Sequence, residues 1–511
     1  MGKKSLIDYK IFIPALLVVI AISIPFAMYE TESLELLNSI FSSIVNSFTW
    51  GYLWYGIILV VAGLYLSFSK YGKVVLGDPK EKPRFSLFEY SSILIAMGLG
   101  STIMRTSMLQ WTSVANDPPA GVEPGSPESI LWGNAYSMFL WGFQVFAIFV
   151  LIAPAMGYIL HVRKRPLMRI SEACRSLFGD KFTDGLGGKF LDVLFLVSIL
   201  SGAAVTLGLG APIVTQNLAF LMDTEVTFTL TIIVTVVWVT LFSASAYAGI
   251  EKGIKRLSTW NMYIAGFFAV FILLAGPGVF ILNYFSDSVS FLLMNYVNMS
   301  LNTDSVYDGG MSHVQSNTVF WFAYSATWAM LHGVFAAKIS RGRTIKEMIL
   351  TYFLAPTLIS WIATGILGGL GVYQYLNGNM DILNLVENET RMAAIPEILS
   401  TLPLGWLAIS IFMVVALIFL TTTLDSTTYT VAAYTSTRDM SKFEPPKILR
   451  IIIAAIITAV ALVLMRIGGL PPLEVVSGLM GLPIIILQFI LIWAAIRMMN
   501  EDEAWKHNVR K

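Results

Sequence analysis

Tyr324, Ser325, Trp328 and His332 recur three or four residues apart, a spacing that places them on roughly one face of a helix. Rings and hydroxyls arranged this way can surround a small solute, and the same row can equally be ordinary helix packing. Arg105 sits beside Thr102, Thr106, Ser107 and Gln110. Its guanidinium could take a substrate carboxylate through two parallel bonds, or it could serve a buried acid or helix-end carbonyls. A third group runs from Phe419 through Thr421, Thr422, Thr423, Asp425, Ser426, Thr427 and Thr428. Its oxygens are dense enough to replace the hydration shell of a sodium ion, but Thr and Ser hydroxyls also bond back to their own helix.

The elements that must hold these residues are membrane helices. The chain has 511 residues, 56% hydrophobic and 13% charged, with a mean hydropathy of +0.72. Apolar stretches of about 20 residues recur along it, which is the length needed to cross a bilayer. We expect an all-α polytopic membrane protein with twelve spans, at roughly 11–28, 50–69, 88–110, 132–158, 188–219, 226–248, 260–282, 318–337, 348–373, 402–431, 448–465 and 473–498. Loop charges alternate. Lys3, Lys4 and Lys10 precede the first span, and Glu30, Glu32 and Glu35 follow it. Lys80, Lys82 and Arg84 come next, then Asp117, Glu123 and Glu128, then Arg163, Lys164, Arg165, Arg169 and Arg175. Positive loops remain cytoplasmic, so a multi-pass protein of the inner membrane with both termini in the cytoplasm is expected. Residues 283–300 are weakly amphipathic and read as a helix along the outer surface.

Composition and motifs narrow the function. A formal charge of +1 gives no pointer to nucleic acid, and the single Cys174 rules out an intramolecular disulfide. HExxH, GxSxG and the phosphate-binding GxxxxGK[ST] are missing, which argues against an enzyme and against nucleotide-driven transport. No repeated filter sequence suggests a channel. The glycines of Met97-Gly98-Leu99-Gly100-Ser101 and the hydroxyls near Asp425 instead suit discontinuous helices at mid-membrane, as in secondary transporters, although a packing role for the glycines stays open.

The chain resembles the betaine/choline/carnitine transporter family over most of its length. The specific signal is Ile339-Ser340-Arg341-Gly342-Arg343-Thr344 after the aromatic span. Pro118-Pro119, Gly121, Glu123-Pro124, Trp141-Gly142, Glu251-Lys252-Gly253 and the stretch from Asn283 to Ser288 add weaker support. The resemblance implies twelve helices, the last ten forming LeuT-like inverted five-helix repeats, assembled as a homotrimer in membrane lipid. The first repeat would span 88–282 and the second 318–498. Residues 1–87 would precede them, the surface helix and outer loop (283–317) would separate them, and a short tail (499–511) would follow. It further implies an aromatic box for a quaternary ammonium group, drawn here from Trp141, Tyr324 and Trp328. Sodium would be held by Leu94 and Met97 with Phe419, Thr422 and Thr423.

This sequence departs from the family pattern at several of those positions. Tyr324-Ser325 stands where the family has a tandem Trp pair. Arg105, Met108 and Leu109 stand where Gly-x-x-Glu-Pro is usual, and His332 where some members have methionine. Sodium-independent exchangers carry an arginine in span seven where this chain has Asn261-Met262. The expectation is sodium-coupled uptake of a small zwitterionic solute, betaine-type or carnitine-like, by alternating access. Its ammonium end would meet Trp328, Tyr324 and Trp141, its acid end Arg105, with Ser325 and His332 in the same lining. A sodium-independent substrate/product exchanger, a transporter of a non-quaternary acid, and a membrane solute receptor are the alternatives.

Overall fold

The computed structural model describes residues 7–100, 102–119, 121–305, 312–388, 392–466 and 470–510. Lys3, Lys4 and Ser101 lie outside them. The described chain is helical. In order it forms α1 (Tyr9–Met28), α2 (Glu30–Phe68), α3 (Leu87–Leu99), α4 (Thr102–Asn116), α5 (Pro127–Leu140), α6 (Phe143–Val150) and α7 (Ala153–Gly157). Next come α8 (Ile170–Thr183), α9 (Leu186–Leu221), α10 (Phe228–Ala248), α11 (Lys255–Ala275), α12 (Gly278–Leu301), α13 (Phe320–Ile339) and α14 (Ile345–Ala363). The last are α15 (Gly369–Leu376), α16 (Ile382–Asn388), α17 (Ala394–Ser400), α18 (Gly405–Thr435), α19 (Lys447–Arg466), α20 (Leu470–Glu501) and α21 (Ala504–His507).

Two of the helices that build the site begin with the same device. The Ser86 hydroxyl accepts from the Glu89 N–H while the Glu89 carboxylate accepts from the Ser86 N–H, and Thr344 and Glu347 repeat the exchange at the start of α14. Each box satisfies donors that a helix start leaves open. The signature Ser340–Thr344 lies between α13 and α14 and is bound to the segment before α3. Gly342 donates to Leu76 at 2.7 Å, and Arg343 donates to the carbonyls of Phe85 and Ser86 at 2.8 and 3.1 Å. Gly342 has φ +81°, and a Cβ there would stand 2.5 Å from the Lys82 carbonyl oxygen, so only glycine fits. The motif is a clamp between two loops.

The expected count of twelve spans is corrected. Among the described residues eight helices are long and apolar enough to cross a membrane, or nine if the bent pair α3–α4 is one span. The stretches 11–28, 318–337 and 448–465 are not among them. The described apolar run of α1 ends at Ile22, and α13 is diluted by Tyr324, Ser325, Thr327 and His332. Nothing in the arrangement of the described helices shows LeuT-like inverted five-helix repeats, so that expectation falls with the count.

Span seven also ends early. The helix stops at Ala275, Gly276 and Pro277 break it, and α12 starts at Gly278, where the sequence suggested a single helix to 282. Proline has no N–H to continue the ladder. α12 buries Ile281, Tyr284, Ser288 and Leu292, and leaves Leu282, Leu293, Met294 and Val297 exposed. Its amphipathic reading is matched by this two-sided burial.

Candidate functional site

The glycines in span three do break it. α3 and α4 meet at 55°, and Gly100 at the break has φ +52°. A Cβ on Gly100 would lie 2.7 Å from Thr423 Oγ1 of α18, so the position is glycine both for conformation and for approach. The second expected discontinuity, at the hydroxyl run of span ten, is not found: α18 is one helix of 31 residues. It is span four that breaks instead, at Trp141-Gly142 between α5 and α6.

A break in an apolar helix leaves carbonyls that need donors. Here side chains supply them. Trp321 of α13 donates its indole N–H to Leu140 O at 2.7 Å, Trp361 of α14 donates to Met138 O at 2.9 Å, and the Ser360 hydroxyl donates to Trp141 O at 2.7 Å. These bonds hold Trp141 against Trp321, with ring centroids 5.1 Å apart.

Beside this break lies a small cavity. Met97, Gly98, Leu99, Gly100 and Thr102 line it from the α3–α4 break, Trp141 and Phe149 from the α5–α6 unit, and Thr206 from α9. Trp321, Tyr324, Ser325, Trp328 and His332 line it from α13, with Thr423 from α18. The aromatic groups form a chain. Trp321 and Tyr324 are 6.0 Å apart, Tyr324 and Trp328 6.5 Å, Trp328 and His332 6.1 Å, and His332 and Phe149 4.0 Å. Two neighbours orient the last rings. Gly202 of α9 leaves room for Trp328, whose ring would lie 3.0 Å from a Cβ there, and Tyr352 of α14 hydrogen-bonds His332 Nδ1 at 2.6 Å.

Of the expected substrate residues, Trp141, Tyr324, Ser325, Trp328 and His332 therefore surround one cavity. Arg105 does not join them. It lines a separate pocket with Gln110, Leu140, Ser316, Asn317 and Trp321. Trp321 borders both spaces. No Lys, Arg, Asp or Glu is among the described residues lining the aromatic cavity.

The expected sodium residues are brought together in part. Thr423 Oγ1 reaches the Ala96 carbonyl of α3 at 3.2 Å and bonds back to Phe419 O at 3.0 Å. Met97, next to Ala96, shares the cavity with Thr423. The Thr422 hydroxyl bonds back to Ile418 O and Phe419 O of its own helix. Leu94 is buried on α3, and its burial adds no polar atom. The residues fit a cation only as a small set of α3 carbonyls and one bridging hydroxyl.

Trp321, Phe149, Thr206 and Trp361 were missed from the sequence. Trp321 was findable, since it lies three residues before Tyr324 on the same stripe. Phe149, Thr206 and Trp361 come from other helices, where no local spacing points to the site.

The family model described as BCCT, betaine/carnitine/choline family transporter, matches residues 10–504. Among solved structures the fold is similar to one described as the substrate-bound outward-open state of a Na+-coupled sialic acid symporter that reveals a novel Na+ site. The TM-score is 0.46 at 14% identity, over 87% of this chain and 86% of that one. The chain belongs to the betaine/carnitine/choline family of transporters, so its activity is transport of a small organic solute and not catalysis.

Proposed function

We propose that the protein takes up a small zwitterion whose ammonium end is quaternary or heavily alkylated, coupled to sodium. The observation that carries this reading is the cavity wall of Trp141, Trp321, Tyr324, Trp328, Phe149 and His332 without a charged side chain among its described lining. A cation with no N–H to donate gains little from hydroxyls or carboxylates and is held best by ring faces. The acid end is assigned to the start of α4, where Thr102 opens a 15-residue helix at the cavity edge. The open N–H groups and dipole of a helix start favour negative charge. This replaces Arg105, which lies beyond Trp321, as the partner of the carboxylate.

Sodium coupling is supported by the contact of Thr423 with the α3 carbonyl chain at the break. Membership of the family is compatible with it. The fit at this position is limited, because α18 is unbroken there and Thr422 is bonded within its own helix.

The test is binding and uptake by purified protein in liposomes, with sodium and with N-methylglucamine in its place. The panel is glycine betaine, carnitine, choline and non-quaternary amino and sulfonic acids. Sodium-dependent uptake of a quaternary zwitterion is the expected result. Uptake of only a non-quaternary acid would overturn the cage assignment, and uptake unchanged without sodium would overturn the coupling.

A further inference from the structure

Asp425 is fully buried in the middle of α18, nine residues or more from either end of the helix. One carboxylate oxygen accepts from the Ser245 hydroxyl of α10 at 2.6 Å. The other has no partner among the described residues. The nearby cation is committed elsewhere: Arg450 of α19 donates to Ala246 O at 2.6 Å, pairs with Glu444 at 3.2 Å, and lies over the Tyr429 ring. Asp425 forms no ion pair among the described residues. An unpaired carboxylate at membrane depth is costly and has to be offset by something.

Further orphans accompany it. Tyr429, one turn along α18 from Asp425, has a buried hydroxyl without a partner among the described residues. On α11, which packs against α18, Ser258 and Asn261 are fully buried, and neither Ser258 Oγ nor either amide atom of Asn261 is hydrogen-bonded among the described residues. The start of α11 is close to the Asp425 partner: a Cβ on Gly253, two residues before Lys255, would lie 2.8 Å from Ser245 Oγ. Buried polar atoms without partners are rare and costly, so the open Asp425 oxygen calls for a polar ligand.

We propose that Asp425, with the Ser245 hydroxyl, binds a monovalent metal cation between α10, α11 and α18, a site separate from the Thr423–Ala96 contact. The carboxylate supplies the charge that the Thr423 position lacks, and Ser245 orients it. This deepens the sodium-coupled reading and rests on it.

The experiment is thermal unfolding of the purified full chain without solute, as a function of sodium, with N-methylglucamine chloride holding ionic strength constant. It is run at about pH 6 and about pH 8 and paired with uptake assays. The Asp425→Asn variant should raise the sodium concentration for half-maximal stabilisation at least about tenfold, and Ser245→Ala about threefold. An unchanged midpoint in both variants overturns the proposal while leaving sodium coupling intact. So does stabilisation of the wild type that follows pH and ignores sodium, which makes the group a proton carrier. If Asp425→Asn does not fold, the Ser245→Ala midpoint decides. Wild-type uptake indifferent to sodium instead overturns the coupling reading on which the site rests.

Discussion

Trp321 on α13 donates its indole N–H to the carbonyl of Leu140 at 2.7 Å, across the break between α5 and α6. One side chain thus satisfies a freed backbone acceptor, stacks edge-on with Trp141 and borders both the aromatic cavity and the Arg105 pocket. Replacing it with phenylalanine keeps a ring and removes the donor. Trp321→Phe is expected to destabilise the protein by about 1–3 kcal/mol, the cost of an unsatisfied buried carbonyl. Binding of a quaternary ligand should weaken as well, because Trp141 loses its support. Melting curves and equilibrium binding on the purified variant check both effects.

Trp328 should act through its ring face. Trp328→Ala is expected to weaken binding of a trimethylammonium ligand by about 0.5–2 kcal/mol, more than binding of its neutral tert-butyl analogue. Competition binding with the two isosteres measures the difference. Equal losses would mean that Trp328 contributes only shape.

Arg105 stands outside the cavity. Arg105→Ala is expected to change the equilibrium affinity for a zwitterion by less than about twofold, roughly 0.4 kcal/mol. A large loss confined to ligands with a carboxylate would show that Arg105 reaches the acid after all.

Gly100 combines φ +52° with a Cβ position 2.7 Å from Thr423 Oγ1. Gly100→Ala is expected to abolish transport, with at least about 1 kcal/mol of backbone strain added to the clash. The double variant Gly100→Ala with Thr423→Ala should not recover, since the second change removes the clash and leaves the strain. Uptake in liposomes reads the outcome.

At helix α8, two groups carry tests that need no solute. Burial pushes the Cys174 thiol up to about 12, with Asp192 adding to it, so maleimide labelling near neutral pH should be slow until the protein unfolds. Arg175 bonds Asp184 at 2.6 Å and holds its carboxyl below the usual carboxylate range, Arg165 adding a smaller pull. A depressed carboxyl stabilises the fold above its unfolded pKa, about 3.9, and that contribution is lost as pH falls through the lower folded value. Arg175→Ala should therefore melt earlier than wild type at about pH 7, with the gap closing near pH 3. A gap that does not close would mean that Arg175 acts through packing.

Hydropathy and helical spacing determined much of this protein before any coordinates. They established a helical membrane protein and the stripe of Tyr324, Ser325, Trp328 and His332, and they raised a break at the span-three glycines beside a packing role. Each is a local property, set within a few turns by residue size and periodicity. Tertiary structure decided the rest. The 55° bend at Gly100 redirects α4 and leaves Arg105 in its own pocket, a result no spacing along the chain encodes. The break at Trp141-Gly142 is stable because Trp321, Ser360 and Trp361 come from other helices to meet its carbonyls. The helix count fell short of twelve at 11–28, 318–337 and 448–465; at the second of these, α13 is polar along one face and buried against protein on nearly every side, so it needs no uniformly apolar surface.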